Sequence, residues 1–226
     1  MGKYQVVLDT ETVGGFSKPL VYDFSYCVFN KWTGSTVENH TFIIKEIFGD
    51  SALMSTAYFA NHIPEILERI ERGEFQVVDF FSARQHFIED CKKYRIKNWF
   101  AYNANFDKRS LNCTTAYLTK GRTKYFFPKK FSPHCIWSIA VDAFLCKDDY
   151  YAQAIANKWI SEKGNVKSSA ECAYRYLSGK FDFEERHFGI DDCQIEKEIL
   201  LYCRSIKGKK NSKPNSAIWR KIQRES

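Results

Sequence analysis

The chain has no Cys-x-x-Cys pair among its eight cysteines, which argues against a zinc ribbon or knuckle. It has no Gly-x-x-x-x-Gly-Lys-[Ser/Thr] and no Gly-x-Gly-x-x-Gly, so neither a P-loop nor a dinucleotide fingerprint is present. It has no Gly-x-Ser-x-Gly and no cysteine in a recognisable nucleophile setting, so a serine or cysteine hydrolase finds no support. No run of 18 apolar residues occurs, which excludes a transmembrane helix from expectation. The opening MGKYQVVLDTE reaches its acids before an apolar core of signal length can form. Its sixth residue is Val rather than Ser or Thr, so the myristoylation pattern is incomplete. These absences fit reduced thiols and a cytoplasmic setting, a bacterial or phage-infected cell included, with no membrane partner. There are no internal repeats.

What is present is a globular composition: 226 residues, 44% hydrophobic, 27% charged and 16% aromatic, enough for one substantial core. The net charge of +7 is concentrated at one end. Arg204 to Ser226 holds eight bases and one acid, leaving 26 of each in the preceding 203 residues. A basic terminal segment suits a polyanion such as nucleic acid, or a protein partner, and serves equally as a solubilising tail. The division expected is a globular domain over 1–206 and a basic tail over 207–226.

Hydrophobic patterning predicts a strand over Tyr4 to Asp9, and a hairpin from Val21 to Asn30 and Thr36 to Lys45. Helices are predicted over Ile63 to Arg72, stopped by Gly73, and over Val78 to Tyr94. Asn98 to Tyr102 reads as a short strand and Asn105 to Leu118 as a helix. Thr119 to Ser132 reads as an irregular loop in which Lys120, Arg122, Lys124, Lys129 and Lys130 alternate with Tyr125, Phe126, Phe127 and Phe131. One or two helices follow over Ile136 to Trp159. Another is capped at Ser168 or Ser169 and stopped at Gly179, and a strong one spans Ile190 to Ile206. The last ten residues allow a helical turn or two. This order predicts an α/β or α+β domain with a mixed sheet.

Asp9 and Glu11 stand at the end of the first apolar run, at i and i+2 on one face of a strand. Two carboxylates so placed repel unless a cation lies between them, and oxygen donors select hard ions such as Mg²⁺ or Mn²⁺. Asp107 lies at a strand–helix junction in FAYNANFDKRSL, behind Asn103 and Phe106. His187 precedes Asp192 by five residues where the last long helix begins, in ERHFGIDDCQIEKEIL. Taken singly, Asp191 and Asp192 read as helix-terminal acids favoured by the dipole.

The ordered set Asp9-x-Glu11, Asn103-x-x-Phe106-Asp107 and His187-x-x-x-x-Asp192 resembles the three motifs of the DEDDh, or DnaQ-like, 3′→5′ exonucleases. The resemblance spans residues 4 to about 205, with long spacings around Ser51 to Arg72 and between Asp107 and Asp192. It implies an RNase H-like fold, a mixed central sheet flanked by helices. It also implies two divalent ions, Mg²⁺ or Mn²⁺, held by Asp9, Glu11, Asp107 and Asp192. Such ions, roughly 3.5–4 Å apart, clamp the attacking and leaving oxygens of an in-line displacement at phosphorus. His187 is implied as general base, with a pKa near ~6.5 suited to the task. Thr12, Val13, Asn103 and Phe106 are implied to line the 3′-terminal nucleotide, with Phe16, Tyr102 and Phe106 as stacking candidates. The expected activity is release of nucleoside 5′-monophosphates from nucleic acid 3′ ends, single-stranded DNA being favoured and RNA possible. The alternative is a catalytically silent nucleic-acid-binding or interaction protein on the same scaffold.

Overall fold

The computed structural model describes residues 2–207, 212–215 and 217–222. Part of the basic tail, including Lys209, Lys210 and Arg224, lies outside them. A six-stranded mixed sheet forms the centre, in the order β4-β3-β2-β1-β5-β6. β1 (Tyr4–Val13), β2 (Leu20–Asn30) and β3 (Thr36–Ile44) form an antiparallel meander. β4 (Gln76–Val78) joins β3 in parallel, while β5 (Asn98–Ala101) and β6 (Ser132–Cys135) extend the other side in parallel. This is the mixed sheet flanked by helices that the sequence predicts.

The buried strands explain why the sheet is central. Nine consecutive residues of β2, Leu20 to Val28, and Phe29 after them are buried, as expected of a strand covered on both faces. One face carries Val6, Leu8, Phe24 and Tyr26 against α4 (Phe80–Lys93) and α5 (Ala104–Leu118). The other carries Val7, Cys27 and Phe29 against α9 (Gly189–Lys207) and its neighbours. Short helices α1 (Lys45–Phe48) and α2 (Ser51–Met54) follow β3, and α3 (Ile63–Glu71) closes that segment. α6 (Ile136–Ala140), a π-helical turn over Val141–Leu145, α7 (Asp148–Ala156) and α8 (Ala170–Ser178) form the layer beside α9.

Several boundaries follow from local chemistry. Ser169 caps α8 by accepting a hydrogen bond from the Cys172 amide, and Gly179 ends it at φ +70°. The helix expected from Val78 starts instead after Asp79, whose side chain accepts from the Ser82 amide, and Gln76–Val78 pairs as a strand. In the 119–132 segment two of the aromatic residues part company with the basic ones and with the exposed Tyr125. Phe126 is fully buried beneath Phe24 and Phe80, and Phe127 stacks on Trp99, whereas the lysines face outward. Near the C-terminus Ile218 and Ile222 are buried in the α9-side core, and Lys221 pairs with Asp142 at 2.8 Å.

Candidate active site

β1 delivers the first carboxylates. Asp9 and Glu11 continue the alternation of Val7 and so face α9. Register places Ser25 opposite Asp9 and Asp23 opposite Glu11, with a bulge immediately after Glu11 that ends the regular ladder. Carboxylate oxygens of Asp9, Glu11 and Asp192 all lie within 4.8 Å of one another. Asp107, in the first turn of α5, joins from the opposite face of β1: the Thr10 hydroxyl donates to its Oδ1 at 3.0 Å. Four acids from three distant stretches of sequence thus converge at one end of β1.

Gly189 makes the last approach possible. A Cβ there would lie 2.8 Å from Ser25 Cβ and 3.1 Å from Asp23 Oδ1. Only a residue without a side chain lets the start of α9 rest on β2 and bring Asp192 to the cluster. Asp191, beside it, is turned outward and pairs with the buried Arg69 of α3 at 3.3 Å. The Arg69 guanidinium also lies over the Phe188 ring, 4.3 Å from its centroid. Among the described residues no counter-charge acts on Asp192, and its buried Oδ1 makes no hydrogen bond.

The electrostatics of the cluster are those of charges held together without compensation. Burial, then the neighbouring acids led by Glu196, drives the Asp9 carboxyl well above its ordinary range. Glu11 is driven the same way by burial and by Asp192, Asp23 and Glu185. Burial pushes Asp192 up to about 9, with Glu185 and Asp191 adding to it. Asp107 is pushed by burial to about 7 against the opposing hydrogen bond from Thr10. The oxygen-only donor set, the uncapped lone pairs and this uncompensated charge fit hard divalent cations held by Asp9, Glu11, Asp107 and Asp192.

Asp23, Glu185 and Glu196 belong to the same electrostatic unit and are absent from the sequence-derived set. Glu196 is 3% exposed, with Oε2 unpartnered. Its position four residues after Asp192 puts both on one face of α9, a spacing readable in advance. Asp23 is the cross-strand partner of Glu11.

Beside the carboxylates lies a cavity of about 450 Å³ lined by Thr10, Glu11, Thr12, Gly15, Phe16, Tyr58, Phe59 and Phe106. Phe16 is exposed and meets Phe106 edge-on, with ring centroids 6.4 Å apart. Phe59 stacks on His187 at 4.0 Å, with the rings 14° from parallel. His187 takes a left-handed backbone (φ +53°), a conformation that costs a non-glycine residue about 1–3 kcal/mol. Burial, with His62 nearby, lowers its pKa and keeps the imidazole neutral.

Of the residues expected to meet the terminal nucleotide, Thr12, Phe16 and Phe106 line this cavity, whereas the side chains of Val13 and Tyr102 are placed elsewhere. The Val13 side chain is 1% exposed, packed within the core rather than lining the cavity. Tyr102 packs in the α9-side core and donates its hydroxyl to the Ser168 carbonyl at 2.6 Å, so its ring is not free to stack on a base. Asn103 is exposed, immediately before α5, and its carbonyl accepts from the Phe106 amide at 2.7 Å. Tyr58 and Phe59, missed in the sequence, come from the long insertion after β3. The Gly14 amide ties the β1 loop to that insertion through Thr56 Oγ1 at 2.9 Å.

No protein-family model matches the chain. No curated protein sequence matches it either. Solved structures do. The nuclease domain of 3′hExo, a DEDDh family member bound to rAMP, superimposes with a TM-score of 0.60 at 12% identity, over 95% of this chain and 98% of that one. A full-length 3′-exonuclease gives a TM-score of 0.58 at 13% identity, over 90% and 82%. E. coli Exonuclease I in complex with a dA16 oligonucleotide gives 0.57 at 10% identity, over 91% of this chain and 41% of that longer one. The chain has the RNase H-like fold of these 3′-exonucleases.

Proposed function

We propose that the chain is a 3′→5′ exonuclease of DEDDh type that releases nucleoside 5′-monophosphates from the 3′ ends of nucleic acid. The observation that carries this reading is the convergence of Asp9, Glu11, Asp107 and Asp192 beside an aromatic cavity of about 450 Å³, a size suited to one nucleotide. The neighbours in complex with rAMP and with a dA16 oligonucleotide support the ligand class. Single-stranded DNA is the favoured substrate and RNA the second.

Two divalent ions, Mg²⁺ or Mn²⁺, held by the four acids, would make hydroxide available near neutral pH and offset charge on the leaving 3′ oxygen. The remaining roles belong to side chains. Phe16 and Phe106 offer ring faces and edges to the terminal base, each worth ~1–3 kcal/mol when stacked. Phe59 fixes the plane of His187. His187, kept neutral by burial, takes the proton of the attacking water. The unpaired charge on Asp192 and the paired charge on Asp191 divide the two neighbouring acids between metal binding and docking of α3.

The test is release of mononucleotides from 3′-labelled DNA and RNA strands, single and duplex, with Mg²⁺ or Mn²⁺ and with a chelator. Asp9→Ala is expected to abolish release, and His187→Ala to leave a trace, ~10²–10⁴-fold below the parent. Full activity in Asp9→Ala would remove the metal assignment. Binding of the strands without any cleavage would favour a silent nucleic-acid-binding protein on this scaffold.

A further inference from the structure

On the face of the sheet opposite to Asp9 and Glu11, a second group of ligand-type side chains closes around one point. Glu38 and His40 alternate on the same face of β3, and His86 and Asp90 stand one turn apart on α4. His40 Nε2 lies 3.3 Å from Asp90 Oδ2 and 3.7 Å from Glu38 Oε2. His86 Nδ1 lies 3.6 Å from the same Asp90 oxygen. The donor atoms of His40, His86 and Asp90 all fall within 4.8 Å of one another.

We propose that His40, His86 and Asp90 form a binding site for a transition-metal dication of the zinc class, separate from the carboxylate cluster, with Glu38 beside His40 at its edge. Metal–ligand bonds of about 2.0–2.1 Å in a tetrahedron give donor–donor edges of about 3.3 Å, which the two imidazole-to-Asp90 separations approach. Imidazole nitrogens favour zinc over magnesium. The buried Nε2 of His40 makes no hydrogen bond and is aimed at the Asp90 carboxylate. Asp90 supplies a negative charge at the ion, and the Glu38 carboxylate lies beside His40.

The surrounding groups already hold these side chains in place. Lys93 Nζ and Tyr94 Oη each lie 2.5 Å from Glu38 Oε1, which leaves Oε2 turned toward His40. The Tyr26 hydroxyl lies 2.8 Å from Asp90 Oδ2, to which it donates, and 2.8 Å from His86 Nδ1. Tyr26 donates to Asp90 and so accepts from His86 Nδ1; for Nδ1 to bind a metal, that proton leaves to water and the half-exposed ring takes one up on Nε2, while Tyr26 keeps its bond to Asp90. The site joins β3 to α4, and α4 in turn holds the basic 119–132 segment through Arg84 Nε and the Phe126 carbonyl, 2.6 Å apart.

Cobalt(II) is the probe, titrated into the full chain carrying Asp9→Asn to weaken the carboxylate site. The expected result is one equivalent of cobalt with the intense visible bands of tetrahedral coordination, displaced by zinc. His40→Gln and His86→Gln should each lose the bands and weaken zinc by more than the roughly 10–100-fold that removal of an outer-shell partner costs. Anomalous difference density at the zinc edge, from crystals grown with zinc, locates the ion without relying on a variant. An absence of bands in the Asp9→Asn chain, bands that persist in both histidine variants, or anomalous density only at the carboxylates would overturn the proposal.

Discussion

Replacing Asp107 with asparagine separates the cost of the carboxylate cluster from its use. Asp107 is 3% exposed, and burial moves its carboxyl from 3.8 to about 7. Asparagine keeps an oxygen for the Thr10 hydroxyl and removes the charge. Between those two pH values the folded chain holds a proton that the unfolded chain has released, so stability falls as pH rises through the window. At ~1.4 kcal/mol per pH unit, the charge at this position costs the metal-free fold about 4 kcal/mol at about pH 8 and about 2 kcal/mol at about pH 5. For a chain of this size each kcal/mol moves the melting temperature by roughly 2–4 °C. Asp107→Asn is therefore expected to melt on the order of 10 °C above the parent at the higher pH in EDTA, and by about half that at the lower. Manganese should reverse the order, because only the parent retains the full ligand set. Thermal unfolding followed by circular dichroism, with and without manganese at both pH values, reads all of these. A variant no more stable than the parent at the higher pH would refute uncompensated charge at Asp107. Equal manganese stabilisation of both proteins would remove Asp107 from the ligands.

Three other perturbations probe the parts that assemble the site. Gly189→Ala places a Cβ 2.8 Å from Ser25 Cβ and should cost about 1–3 kcal/mol by overpacking; urea unfolding measures it, and an unchanged midpoint would mean that α9 does not rest on β2. Phe59→Ala removes the ring stacked on His187, so initial rates should fall while manganese stabilisation of the fold is retained; loss of that stabilisation as well would mean that Phe59 supports the carboxylates rather than the histidine. Arg69→Met removes a buried guanidinium from the part-exposed Asp191 and Glu65 and should cost about 1–3 kcal/mol, which denaturant titration would detect.

What the sequence disclosed and what it hid divide along the range of the interaction involved. Ser169 and Gly179 punctuate α8 through contacts within a few residues, and both were legible. β4 and β6 have three and four residues, too few to show a period, and β6 contains Pro133; each exists because a longer strand offers it an edge. The alternation of basic and aromatic residues made the 119–132 segment read as an irregular loop, yet Phe126 and Phe127 complete the core against Phe24, Phe80 and Trp99. Phe59 could not be found because its partner, His187, is more than a hundred residues away. The adjacent Asp191 and Asp192 show the limit most clearly. Two identical side chains sit in the first turn of one helix, where the dipole favours both equally. Their difference arises only when α3 presents Arg69 to one of them and Gly189 lets the other descend onto β1. Inside a fold, a carboxylate with a cation beside it holds elements together, whereas one left uncompensated at the junction of three segments remains available to bind what the protein itself does not supply.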